Sequence, residues 1–111
     1  MTLSSEDTDE DPLVSCSFQN GTLSVYPSFV TIERASRSMY DDKRIEMSAI
    51  HGVEYSRGIM TGHLQIEEHG VESDSGGVFT HPVDENTLYF GRGRRDCAVR
   101  ARDAILERMR G

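Results

Sequence analysis

Two cysteines, Cys16 and Cys97, and four histidines, His51, His63, His69 and His81, carry most of the reactive chemistry in this chain of 111 residues. Thiolates and imidazoles are the side chains that hold transition metals and act as nucleophile or base near neutral pH. Their spacing argues against those uses. No C-x-x-C occurs, so the chain encodes neither a zinc-binding cysteine pair nor a dithiol redox motif of that kind. No two histidines stand four apart, as on a helix face, or two apart, as on a strand face. All four fall in or beside turn residues and strand ends, which predicts surface or partly exposed rings, no metal site and no cofactor. The cysteines lie 81 positions apart, and Met1-Thr2-Leu3-Ser4-Ser5-Glu6-Asp7 lacks the basic start and apolar run of a secretory leader. That combination reads as two buried thiols in a cytoplasmic protein rather than a disulfide.

Serine, histidine and aspartate are all present, but no nucleophile elbow or other catalytic signature frames them. Cys97 follows Arg94 and Arg95 at a helix start, where a thiolate is favoured. A small apolar side chain packing the first helical turn is the simpler reading. The chain therefore reads as a non-enzyme. Gly91-Arg92-Gly93-Arg94-Arg95 leads into the same helix and forms a candidate anion site, with backbone N–H groups and the guanidinium forks of Arg92, Arg94 and Arg95 facing one ligand. The simpler alternative is a flexible joint with solvated arginines.

Charge narrows the partners. The net charge is -7, but residues 91–111 hold seven arginines against three acids while the first 90 residues are strongly acidic. One lysine, Lys43, stands beside 11 arginines. High cytoplasmic salt and a GC-rich genome both account for an acidic, lysine-poor chain. An overall negative field repels phosphate, and Asp96, Asp103 and Glu107 interrupt the arginines of the helix. Nucleic acid is thus excluded as a partner.

The elements that would position these groups follow from periodicity. Residues 1–12 hold five acids and little apolar surface, which predicts a disordered acidic tail ahead of a single domain over 13–111. From Phe18 to Phe90 apolar residues alternate with period two, in the pairs Leu23/Val25, Val30/Ile32, Ile45/Met47, Ile50 to Tyr55 and Leu64/Ile66, then Val78-Phe79 and Leu88 to Phe90. Tyr26-Pro27-Ser28 reads as a turn, and Gly52 as a bulge. About seven short strands over residues 16–90 argue a mainly β, meandering antiparallel sheet, closed or nearly so. After Gly93 the period becomes 3.6. Ala98, Ala101, Ile105 and Met109 share one stripe, which predicts an amphipathic helix over about 95–110. Asp96 suits its first turn, an Asp96–Arg100 pair its surface, and Arg108 and Arg110 its last turn.

Seven strands and one C-terminal helix resemble the pleckstrin-homology (PH)-like domain, a partly open barrel plugged by its helix. Asn20-Gly21-Thr22-Leu23, the Ile45-x-Met47-x-x-Ile50-x-x-Val53 run and Asn86-Thr87-Leu88-Tyr89-Phe90 are similar to the small prokaryotic members. Phosphoinositide-binding members carry a basic cluster around the first two strands, whereas this hairpin has no base before Arg34. The resemblance implies a non-catalytic binding or scaffold module for a protein partner, a second copy or a membrane-proximal complex. The second reading is a peripheral anionic-ligand or lipid-headgroup binder using the arginines at the helix start. Val99 and Leu106 lie on the flank of the helix stripe with Arg95 and Arg102 between, and these four are the candidate interaction surface. The alternative places Val99 and Leu106 under strand loops as peripheral core. No window is long and apolar enough to span a bilayer as a helix.

Leu3 is the only large apolar side chain other than the initial methionine in residues 1–11. Deleting those residues should leave the melting temperature nearly unchanged, and a loss above ~2 kcal/mol would mean that the segment packs on the domain.

Overall fold

The structure, a computed structural model, describes residues 11–34, 41–69 and 86–110. Most of the expected acidic tail, the Val78-Phe79 strand and His81 lie outside the described residues. Strands β1 (Val14–Phe18), β2 (Gly21–Val25), β3 (Phe29–Arg34) and β4 (Lys43–Glu46) form one antiparallel sheet in that order. Strands β5 (Ile50–Ser56), β6 (Thr61–Glu68) and β7 (Thr87–Gly91) form a second. Helix α1 (Arg95–Arg110) follows a 3-10 turn, Arg92–Arg94. The described residues contain seven strands and a C-terminal helix, in part from other segments than expected. Val14-Ser15-Cys16-Ser17-Phe18 makes a full strand ahead of the alternation that starts at Phe18. Met47 leaves its strand for a 3-10 turn, Met47–Ala49, that redirects the chain from the first sheet into the second.

Local chemistry explains the joints. The N–H of Tyr26 donates to the carbonyl of Phe29 at 2.8 Å, closing the turn around Pro27. The β5–β6 register shifts between Ile50 and Gly52, the bulge expected at that glycine. Asp96 sits in the first turn of α1 with Arg108 and Arg110 in the last, each complementing the helix dipole.

Period-two alternation aims one face of each strand inward. Cross-strand rows Cys16–Leu23–Ile32 and Val25–Val30–Ile45 line the first sheet, facing Leu64, Leu88, Ile66 and Phe90 of the second. Ala98, Ala101 and Ile105 of α1 are fully buried against this core, and the two alanines let the helix lie close to the strands. β6 departs from alternation, being buried on both faces from Gly62 to Ile66. His63 is consequently only 6% exposed, against the expectation of surface histidines, while His51 and His69 are exposed. The reason is its place on the middle strand of the second sheet, which strand-end spacing does not reveal.

The sheets meet at the β1–β2 turn. The Gln19 N–H donates to the Tyr89 carbonyl at 2.9 Å. The Asn20 side chain accepts from the Tyr89 N–H at 2.9 Å and donates to the Thr87 carbonyl at 3.0 Å. One amide side chain thereby satisfies backbone groups on the outer edge of β7, which would otherwise stand open to another strand.

The cysteines overturn the sequence expectation. Cys16 and Cys97 are joined in a disulfide, with Cα atoms 5.9 Å apart. Sequence separation says nothing of the tertiary approach that brings β1 against the first turn of α1, and that approach sets the pairing. The bond removes Cys97 as a thiolate nucleophile. It also removes one ground for a cytoplasmic location, since disulfides are rare in reducing cytosols. A crosslink enclosing some 80 residues restricts the unfolded chain by about 4–5 kcal/mol on loop-closure arguments. Thermal or denaturant unfolding with and without a phosphine reductant should show a loss of about 2–5 kcal/mol, and Cys97→Ala should be indifferent to reductant.

Candidate functional site

The β5–β6 turn, Arg57-Gly58-Ile59-Met60, holds the two most exposed large apolar side chains among the described residues, Ile59 at 81% and Met60 at 74%. Gly58 sets the turn with φ +66°, where a Cβ would also collide with the Thr61 carbonyl. Arginines from the start of α1 grip this turn. Arg95 Nη2 donates to the carbonyls of Gly58 and Ile59 at 2.9 and 3.0 Å, and Arg92 Nε donates to that of Ile59 at 3.3 Å. The strand-to-helix joint therefore holds the turn in place with Ile59 and Met60 directed outward. Their signal in the sequence was two large apolar residues between Gly58 and Gly62, where a turn is otherwise polar, and periodicity passes over it.

The candidate anion residues separate in role. Arg92 and Arg95 spend donors on turn carbonyls, whereas Arg94 is exposed. Arg57 belongs to the turn itself, and Arg92 and Arg95 reach its carbonyls from the start of the helix.

The candidate interaction surface runs along the α1 flank beside β5. Arg102 lies 5.2 Å over the Tyr55 ring, with Nη2 3.0 Å from the adjacent Asp103 carboxylate. Val99 and Leu106 are half-buried on the same flank and stand outside the hydrophobic core cluster. β5 is an end strand of its sheet, paired on one side only among the described residues. The structure thus brings Arg95, Val99, Arg102 and Leu106 to one flank, with the Ile59–Met60 turn at its upper end. Asp96 and Arg100 are both exposed, and the adjacent ion pair on this helix is Arg102–Asp103.

Two further polar groupings escape the sequence. The rings of His51 and His69 lie 4.8 Å apart across β5 and β6, with His51 Nδ1 3.9 Å from Glu67. Strand pairing joins what spacing along the chain keeps apart. Among the described residues, no three His, Cys, Asp or Glu side chains are placed to hold one metal ion. Lys43 Nζ meets Glu68 at 2.7 Å and Asn86 Oδ1 at 3.0 Å, and Asn86 donates back to the Ile66 carbonyl at 3.1 Å. This network ties β4 of one sheet to β6 and β7 of the other.

Because Gly58 carries a left-handed conformation, Gly58→Ala should cost roughly 1–3 kcal/mol and loosen the turn. Amide exchange at Ile59 and Met60 should rise well above that of the sheets, and unchanged protection would show that the arginine contacts alone hold the turn. No protein-family model, curated protein or solved structure matches the chain.

Proposed function

We propose that this chain is a non-catalytic binding module of PH-like architecture, docking a protein segment that is apolar and acidic. The observation that carries the reading is the Ile59–Met60 pair, exposed at 81% and 74% on a turn that Arg92 and Arg95 hold by its carbonyls. A monomer gains nothing from two large apolar side chains held out in water. The arginine contacts to the turn carbonyls pre-organise the patch, so less ordering entropy opposes association. The PH-like reading is supported by four- and three-stranded antiparallel sheets followed by one helix along the core.

The partner's chemistry follows from the patch. Apolar side chains of the partner cover Ile59, Met60 and the half-buried Val99 and Leu106, while its carboxylates meet the guanidiniums at the rim. The edge of β5, unpaired among the described residues, offers a backbone ladder beside them, suited to an extended segment. A second copy of this acidic chain is one such partner.

The same patch favours a second reading, an anionic lipid surface, because two apolar side chains at a turn tip with Arg92 and Arg95 bonded to it suit insertion at a headgroup boundary. No helix among the described residues is long and apolar enough to cross a membrane, so contact of this kind would be peripheral.

Sedimentation across protein concentration, and partner capture at native salt, should lose association by ~2 kcal/mol or more in the double variant Ile59→Glu, Met60→Glu, with melting unchanged. Leu106→Glu should do the same; a loss of several kcal/mol in stability would instead make Leu106 a core residue. Binding that tracks anionic vesicle content and collapses with salt, with no protein partner lost, selects the lipid reading.

A further inference from the structure

The first sheet carries a concavity of about 370 Å³ between β3 and β4, away from the arginine-bordered turn. We infer that it binds an organic cation, an amine or guanidinium group on an apolar stem. Alternation aims Phe29, Thr31 and Glu33 of β3 and Arg44 of β4 to the outer side of this sheet, opposite the inward Val30, Ile32 and Ile45. Phe29 is nonetheless only 6% exposed. Tyr26 stacks on it with centroids 4.7 Å apart, and the Arg44 guanidinium lies 3.8 Å over the ring. Tyr26 therefore stands as a braced aromatic wall, half-exposed at the mouth.

Charge decides what the cleft accepts. Two bases line it, and each has a carboxylate of its own outside the lining. Lys43 is 2.7 Å from Glu68, and Arg44 is 2.8 Å from Glu46. The lining carboxylates Glu33 and Asp42 each neighbour the last registered pair, Ile32 and Lys43, at the end of the β3–β4 ladder. Asp42 Oδ1 accepts the Arg34 N–H at 2.7 Å, and Glu33 is exposed with no ion pair among the described residues. With the two bases matched, the described lining residues leave the charge of two carboxylates. An anion is repelled there. A cation gains from the carboxylates at one end and from the Tyr26 ring at the other, where quadrupole attraction and apolar contact act together.

This site lies on a different face from the Ile59–Met60 patch and stands or falls separately from it. Two sources carry such a cation, a free amine metabolite and a basic side chain of a peptide. The probes are therefore agmatine and an acetylated Leu-Arg-Leu amide, each followed by amide chemical shifts of the full chain. Saturable shifts are expected at Thr31 to Glu33 and Asp42 to Arg44, with the turn at Gly58 to Met60 unmoved. Glu33→Gln, an exposed isosteric change, should weaken binding about tenfold, and Tyr26→Leu about fivefold. Tighter binding of agmatine assigns the free cation, and tighter binding of the peptide assigns the side chain. No saturable shift at these amides by about 10 mM, or equal binding by Glu33→Gln, overturns the site.

Discussion

β1 is the element on which the rest of the structure depends, because it is tied to three neighbours by three kinds of bond. Its backbone pairs with β2, the turn that follows it meets β7 through Gln19 and Asn20, and Cys16 is covalently joined to the first turn of α1. Among the described residues, two small sheets of four and three strands share an apolar interior. Without β1 joined to both β7 and the helix, Leu23, Phe90 and Ile105 would each lose cover from a different side. The disulfide makes this convergence hard to undo locally. Opening α1 away from β1 requires breaking a covalent bond or unfolding much of the enclosed chain.

That closure also shapes the exposed chemistry. α1 begins where Cys97 is held, and Arg95, two residues earlier, reaches the carbonyls of Gly58 and Ile59. A helix start pinned on its β1 side presents its opposite flank to β5 in a fixed position. Arg95 and Arg102 fall on that flank by the helical period, and Ile105 and Ala101 fall on the buried stripe between the two sides. The arginines are thus structural first, clamping a turn and covering Tyr55, and their remaining donors border an apolar patch.

What was legible in the sequence is what depends on local period. The helix over 95–110, the Gly52 bulge and the turn at Pro27 all follow from neighbours within a few positions. The arrangement Val14 to Phe18 alternates as well, but its place beside an acidic stretch hid it. The features that went unread are tertiary. A disulfide across 81 positions, a buried His63 on a middle strand and the Lys43–Glu68–Asn86 network each depend on which strands become neighbours. Ile59 and Met60 differ in kind, for their signal was local. Two large apolar residues in a glycine-flanked turn match neither period, and a reading based on period gives them no place.

The two polar ends of the molecule have opposite physical logic. Lys43, Glu68 and Asn86 form a part-buried network in which the charged pair is also hydrogen-bonded, so removing one member leaves the others unsatisfied between the sheets. Such a network specifies how β4 sits against β6 and β7 more than it adds stability, because the cost of desolvating the ions offsets much of their attraction. The arginines at the helix start stay partly in water, where their charge costs little. The Lys43–Glu68 contact also uses the inward face of β4, and Arg44 uses the outward face beside Phe29. Adjacent residues on one short strand therefore make different contacts, Lys43 with Glu68 and Asn86 of the other sheet and Arg44 with the Phe29 ring, because the period-two geometry turns them to opposite faces.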